Sequence, residues 1–169
     1  IDNSNYNEIK SKFSKTPNIQ VTNLLTKDIK GISDTVLYLS VLEHIKDDKN
    51  ELTHASENIK KNGYLVICVP AHNNMYSNFD KEIGHFKRYE IDFFNSLQIK
   101  NMVIKKCYFI DSCGYLLYFF NKLFFKKEVY PTKLKVFIWD KIFIPITYVI
   151  DFFTFYKIGK NIICIMQKK

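Results

Sequence analysis

At 169 residues, with 47% hydrophobic and 25% charged side chains, the chain has the balance of a single globular domain, which excludes a disordered or collagen-like polymer. Its net charge of +8 comes almost wholly from lysine, without an arginine-rich stripe, so nucleic acid is not an expected partner. Around Phe143 the longest uncharged run, Ile142 to Ile150, is bracketed by Lys141 and Asp151 and is too short to span a bilayer. Ile1-Asp2 reads as the end of a strand, and a chain opening there without Met is expected to be a fragment or a processed product. Asn5 to Ser14 reads as a short helix and Ile19 to Val21 as a candidate strand.

Asp34 precedes Thr35-Val36-Leu37-Tyr38-Leu39, a continuous β-prone run of the kind buried on both faces of a sheet. Asp47 to Lys60 has helical spacing, with Leu52, Ala55 and Ile59 on its apolar side, and Asn62-Gly63 is expected to close that helix. Tyr64 to Val69 is the next buried strand, stopped by Pro70. Strand, helix and strand in tight succession predict a βαβ unit, hence a parallel sheet with a right-handed crossover. Pro70 to Tyr89 lacks a clear period and reads as a loop, Glu90 to Lys100 as a helix, and Val103 to Ile110 as a strand. From Tyr108 to Tyr156 lie 17 of the 27 aromatic residues, in two helical stretches, Tyr115 to Lys127 and Lys133 to Phe155. Asn161 to Met166 is the last strand. The four cysteines, Cys68, Cys107, Cys113 and Cys164, have no CxxC spacing and read as small hydrophobes in a reducing compartment.

In an open parallel sheet, ligands bind at the carboxyl ends of the strands, and three such ends carry polar groups. Asp2 closes the first, where a carboxylate can accept both hydroxyls of a ribose; the bland alternative is a helix cap. Asn23-Leu24-Leu25 follows the second, with the Asn23 amide suited to an adenine edge and Asp28 a rival for that place. Ser40-Val41-Leu42-Glu43-His44-Ile45 follows the third. His72, Asp80 and His85 are metal-ligand types, but no paired spacing such as HExxH supports them, so no metal is expected.

Asp34-Thr35-Val36, Val41-Leu42-Glu43-His44-Ile45, Asn62-Gly63-Tyr64-Leu65-Val66 and Val69-Pro70-Ala71 resemble, in order and spacing, the second half of class I S-adenosylmethionine-dependent methyltransferases. Pro70-Ala71, Asp80 and Gly84-His85-Phe86-Lys87-Arg88-Tyr89 resemble a narrower branch with a Pro-Ala…Asp…Gly-His-x-Arg-Arg-Tyr block, linked to surface-glycan or lipid-associated pathways. Lys87 departs from that block, keeping the charge but losing the planar fork of arginine. The resemblance implies an α/β, Rossmann-like sheet, mostly parallel with an antiparallel last strand, lacking its first strand and glycine-rich loop. Residues 1–111 would form a partial cofactor-binding core, 112–158 an inserted aromatic helical cap, and 159–169 the last strand of the core.

The resemblance further implies S-adenosylmethionine as cofactor, with Asp2 on the ribose, Asn23 and Leu24 flanking the adenine, and Leu42, Glu43 and His44 lining the pocket near the sulfonium. His85 is the candidate base, oriented by Asp80, because an imidazole titrates near neutrality. Arg88 and Tyr89 would bind a small-molecule, glycan or lipid-linked acceptor. The alternative for this block is structural, with His85 and Arg88 pinning the loop and Arg88 paired to Asp80. The enzyme is expected in the cytoplasm, reaching the inner face of the membrane if the aromatic cap makes peripheral contact. This piece by itself is expected to be inactive without the glycine-rich turn. The competing function is a non-catalytic or membrane-peripheral binding module that retains the methyltransferase fold.

Overall fold

The computed structural model describes residues 3–29, 32–124 and 132–169. The expected strand end at Ile1-Asp2, the Lys126-Lys127 end of the first aromatic helix, and Pro131 lie outside the described residues. The chain divides into two compact units, Ile1–Gly31 and Ile32–Lys169. The first holds helix α1 (Asn3–Phe13), with Lys10 and Lys12 in its last turn, where cations suit the helix dipole, and a short 3-10 turn, Thr26–Asp28. Ile19 to Val21 is irregular chain rather than a strand. A short β-prone run forms a strand only when a neighbour supplies its hydrogen bonds.

The second unit is a four-stranded sheet in the order β1-β2-β4-β3, where β1 is Ser33–Leu39, β2 Ile59–Pro70, β3 Met102–Ile110 and β4 Asn161–Lys168. β1 and β2 are parallel, and β4 runs antiparallel to both β2 and β3. Three strands therefore share a direction, and the last one opposes them. Helix α2 (Asp48–Glu57) makes the crossover between β1 and β2. Leu52 and Ala55 of α2 pack with Leu65, Ile67 and Val69 of β2, Ile162, Cys164 and Met166 of β4, and Phe94 of helix α4 (Ile91–Asn95). This apolar layer holds the strand ends in place.

Several boundaries differ from the sequence expectation. Helix α2 ends at Glu57, and Asn58 rather than Asn62-Gly63 is its cap. Asn62, at φ 66°, and Gly63 lie inside β2, where the register slips between the pairs Ser33–Ile59 and Thr35–Tyr64. A β-bulge and a helix C-cap both use a left-handed residue, so the same dipeptide serves either. Gly63 is required by space: a Cβ there would lie 2.7 Å from the Asp34 carbonyl oxygen. Among the described residues Tyr38 of β1 is buried, while Leu37 and Leu39 are each 57% exposed. Pro70 to Tyr89 is not a bare loop; it contains a 3-10 turn, Asn73–Met75, and helix α3 (Asn78–Glu82). The helix expected to run to Lys100 stops at Asn95.

After β3 come α5 (Ser112–Phe124), α6 (Lys133–Ile138), a π-helical stretch, Trp139–Phe143, and α7 (Ile144–Phe153). Pro145 sits in the first turn of α7, directly after the π-helical stretch. Among the described residues no helix is long and apolar enough to cross a membrane.

Candidate active site

β1 ends at Leu39, and Ser40 then takes a left-handed φ of 53° while its N–H donates to the Cys68 carbonyl at 2.9 Å. That sharp turn throws the following 3-10 turn, Leu42–His44, across the carboxyl end of the sheet. β2 ends at Pro70, whose sheet partner is Asn161, the first residue of β4. Because β4 is antiparallel, its beginning lies between the ends of β2 and β3, at the same edge of the sheet as the end of β1. A cavity of about 380 Å³ opens there, lined in part by Ser40, Glu43, Asp80, His85, Lys160 and Asn161.

Asp80 organises the wall of this cavity. It is the third residue of α3 and completes a capping box with Ser77, whose N–H and hydroxyl each donate to Oδ2 at 2.9 Å. The only arginine of the chain, Arg88, grips the same carboxylate from the other side, with Nε 3.0 Å from Oδ1 and Nη2 3.0 Å from Oδ2. His85 donates Nδ1–H to Oδ1 at 2.9 Å. Asp80 is 1% exposed. Burial by itself would raise its pKa, but the hydrogen bonds from Arg88 and His85 outweigh it and hold the carboxyl below its ordinary range.

With Nδ1–H committed to Asp80, the His85 lone pair is on Nε2, which lies 3.8 Å from Glu43 Oε1. Gly84, at φ 84° where glycine is favoured, presents its carbonyl to His44 Nδ1 at 3.1 Å. A carbonyl only accepts, so Nδ1 of His44 carries the proton and Nε2 the lone pair. The two imidazoles meet edge to face with centroids 4.6 Å apart. Phe86 N–H donates to the Glu43 carbonyl at 2.8 Å, clasping the Gly84–Phe86 backbone to the Leu42–His44 turn. Glu43 is 1% exposed, and its Oε2 has no hydrogen-bond partner among the described residues.

Of the rest of the block, Phe86 is exposed, Lys87 half-buried and Tyr89 buried. Lys87 pairs with Asp48 and lies over the rings of Tyr89 and Phe93, at 4.9 and 4.7 Å. Tyr89 is buried; its hydroxyl donates to Asp48 Oδ2 at 2.8 Å and lies 3.1 Å from the Leu42 carbonyl. Burial, then the Asp48 hydrogen bond, push its pKa well above the ordinary value. His72 donates Nε2–H to the Gly159 carbonyl at 2.9 Å and stacks on Phe109, a structural staple between the loop and the start of β4.

The fold thus brings together Leu42, Glu43, His44, Asp80, His85 and Arg88, while Tyr89 supports them from the core. Asn23 and Leu24 belong to the first unit, and Asp2 lies outside the described residues. Sequence reasoning missed Lys160 and Asn161. Their signal was available in principle, because an antiparallel last strand must begin at the ligand end of the sheet. Burial depresses the pKa of Lys160.

No family model and no curated protein sequence matches the chain. Solved structures do. A SAM-dependent methyltransferase from Archaeoglobus fulgidus superposes with a TM-score of 0.52 at 18% identity, over 97% of this chain and 73% of its own. Coclaurine N-methyltransferase, solved with N-methylheliamine and SAH, gives a TM-score of 0.57 at 14% identity, over 99% of this chain and 58% of its own. The fold is that of the Rossmann-like methyltransferases. A Galdieria sulphuraria protein, ascribed sarcosine dimethylglycine methyltransferase activity, gives 0.56 at 11% identity, over 96% of this chain and 64% of its own. The chain therefore spans less than two thirds of two of these three methyltransferases.

Proposed function

We propose that this chain is part of an enzyme that transfers a methyl group from S-adenosylmethionine to a small-molecule, glycan or lipid-linked acceptor. The observation that carries the reading is the cavity at the carboxyl ends of β1 and β2, walled by the Leu42–His44 turn and the Asp80–His85 pair. That is where ligands bind in sheets of this architecture. The residues present fit such a cofactor: Leu39 and Val41 expose apolar side chains at the end of β1, 57% and 44% exposed, beside a turn rich in backbone polar groups. The bound cofactor supplies an electrophilic methyl group, which passes to an aligned acceptor by in-line displacement.

The chain's own residues hold and prepare. Glu43 and His44 line the cofactor side of the cavity, and Leu42, fully buried, packs the turn that carries them. Asp2, Asn23 and Leu24 are assigned to ribose and adenine by resemblance alone. His85, with Nδ1–H anchored on Asp80, presents Nε2 as the acceptor of a proton from an incoming hydroxyl or ammonium. Arg88 and Tyr89 serve as supports, since their polar groups are bonded within the fold. Helices α5, α6 and α7 act as a lid over the acceptor side.

A second reading, a module resting on a membrane surface, is favoured by one observation. Tyr148, Phe152, Phe153 and Phe155 are 64–78% exposed, close together in and just after α7.

Calorimetric titration of S-adenosylhomocysteine into the full gene product that contains this chain tests the proposal. Binding that Asp2→Ala weakens tenfold or more, by about 1.4 kcal/mol, is the expected outcome. A folded protein that binds no S-adenosylhomocysteine, yet sediments with anionic vesicles, overturns it in favour of the second reading.

A further inference from the structure

We propose that Glu43, His44 and His85 form a binding site for a divalent first-row transition-metal ion of the Zn2+ type. One ligand atom from each residue lies within 4.8 Å of the other two. Ligand atoms about 2.1 Å from a common ion sit about 3.0–3.4 Å apart at octahedral or tetrahedral angles, so side-chain rotation closes the site. Glu43 Oε1 and His85 Nε2, at 3.8 Å, are already near that spacing.

Three features distinguish this cluster from a chance meeting of polar groups. First, each imidazole is oriented through its other nitrogen. His85 Nδ1–H is held by the Asp80 carboxylate and His44 Nδ1–H faces the Gly84 carbonyl, leaving both Nε2 lone pairs available. A carboxylate or carbonyl behind a histidine is the usual second layer of a metal site, because it fixes the ring and raises ligand basicity. Second, Glu43 is 1% exposed and its Oε2 has no partner among the described residues. A buried carboxylate oxygen left without a donor is costly unless a cation meets it. Third, the neighbouring cations are otherwise engaged: Arg88 is forked onto Asp80 and Lys87 pairs with Asp48. Lys160, which lines this cavity, has its charge disfavoured by burial.

Two imidazoles and one carboxylate select a borderline transition metal over Mg2+ or Ca2+, which prefer oxygen alone. The remaining coordination positions face the open cavity, where water or an acceptor oxygen can take them. The role of the ion in chemistry rests on the methyl-transfer reading. An acceptor hydroxyl bound to the ion would lose its proton to solvent, leaving an oxygen nucleophile, and His85 would then serve as a ligand instead of a free base. Metal binding itself needs neither cofactor nor acceptor.

Zn2+ alone, titrated calorimetrically into the apo chain with Co2+ absorption in parallel, provides the test. The expected result is one equivalent bound, without the thiolate charge-transfer band that binding at Cys68, Cys107, Cys113 or Cys164 would give. Affinity should fall about tenfold or more in His44→Gln, an exposed position that leaves the fold intact by circular dichroism, and likewise in Glu43→Gln. Equal Zn2+ binding by wild type and a folded His44→Gln variant, or a thiolate band in the Co2+ spectrum, overturns the site. A folded chain that takes up no Zn2+ does the same. Because no S-adenosylmethionine is present, failure here is separate from failure of the methyl-transfer reading.

Discussion

Asp151, near the end of α7, accepts the backbone N–H of Ser112 at 2.9 Å, and its other oxygen accepts that of Asp111 at 3.0 Å. One buried carboxylate on the last helix thus caps the first turn of α5, ties the two ends of the helical segment together, and fixes where β3 leaves the sheet. Asp111 adds its own cap by accepting from Gly114 N–H at 2.9 Å.

Removing Asp151 should therefore loosen the segment at both ends. Asp151→Ala leaves two N–H groups without acceptors and is expected to cost about 2–3 kcal/mol, read as a lower urea midpoint. Asp151→Asn, which keeps one acceptor oxygen, should lose roughly half as much. An unchanged midpoint in Asp151→Ala would show that the helices stand without this tie.

Arg88 is predicted to matter through Asp80. Arg88→Leu strands a buried carboxylate and should destabilise by about 3–5 kcal/mol, whereas Arg88→Lys restores charge without the fork and recovers only part. Chemical denaturation of the two variants side by side separates charge from geometry. Equal losses would mean that charge contributes nothing.

Acid should act on the same carboxylate. The folded pKa of Asp80 lies below its ordinary value of 3.8. The stability it contributes is then fully present above 3.8 and is lost as pH falls through the depressed folded value. Unfolding free energy measured downward from pH 5 should drop more steeply for wild type than for Asp80→Asn. Parallel curves for the two proteins would contradict this.

Gly63→Ala places a Cβ 2.7 Å from the Asp34 carbonyl oxygen and 2.7 Å from the Ile59 side chain. Backbone on one side and packed core on the other leave little room to relax, so a loss of about 1–3 kcal/mol is expected. A thermal scan settles it; a melting temperature within a degree of wild type would mean the bulge can shift.

The parts of the molecule legible in sequence are those fixed by local pattern. The apolar runs of β1 and β2, the spacing of Leu52 and Ala55, and the aromatic stretch before β4 each report their element directly. Asn62-Gly63 was misleading because a left-handed residue ends a helix and makes a bulge equally well, and only the pairing of β2 with β1 chooses between them. Exposure of Leu37 and Leu39 was invisible for a related reason, since coverage of a strand depends on neighbours distant in sequence. In the site, Asp80, His85 and Arg88 stood out as one block, and their convergence follows from a helix of five residues and a short return. The approach of Glu43 to His85 had no such signal. It arises from the left-handed turn at Ser40 and the backbone clasp between Glu43 and Phe86.

The position of β4 in the sheet has a consequence for how the chain reaches this state. Among the described residues β3 pairs with β4 alone, and β4 lies between β3 and β2. On a ribosome, β3 is finished at residue 110 but can have no partner in this sheet until residues 161–168 emerge. Parallel pairing of β1 and β2 can begin early. Closure of the sheet must wait for the last strand to slot between two others, a late, non-local step that sets the pace of folding and the time for which apolar strand faces remain open to chaperones.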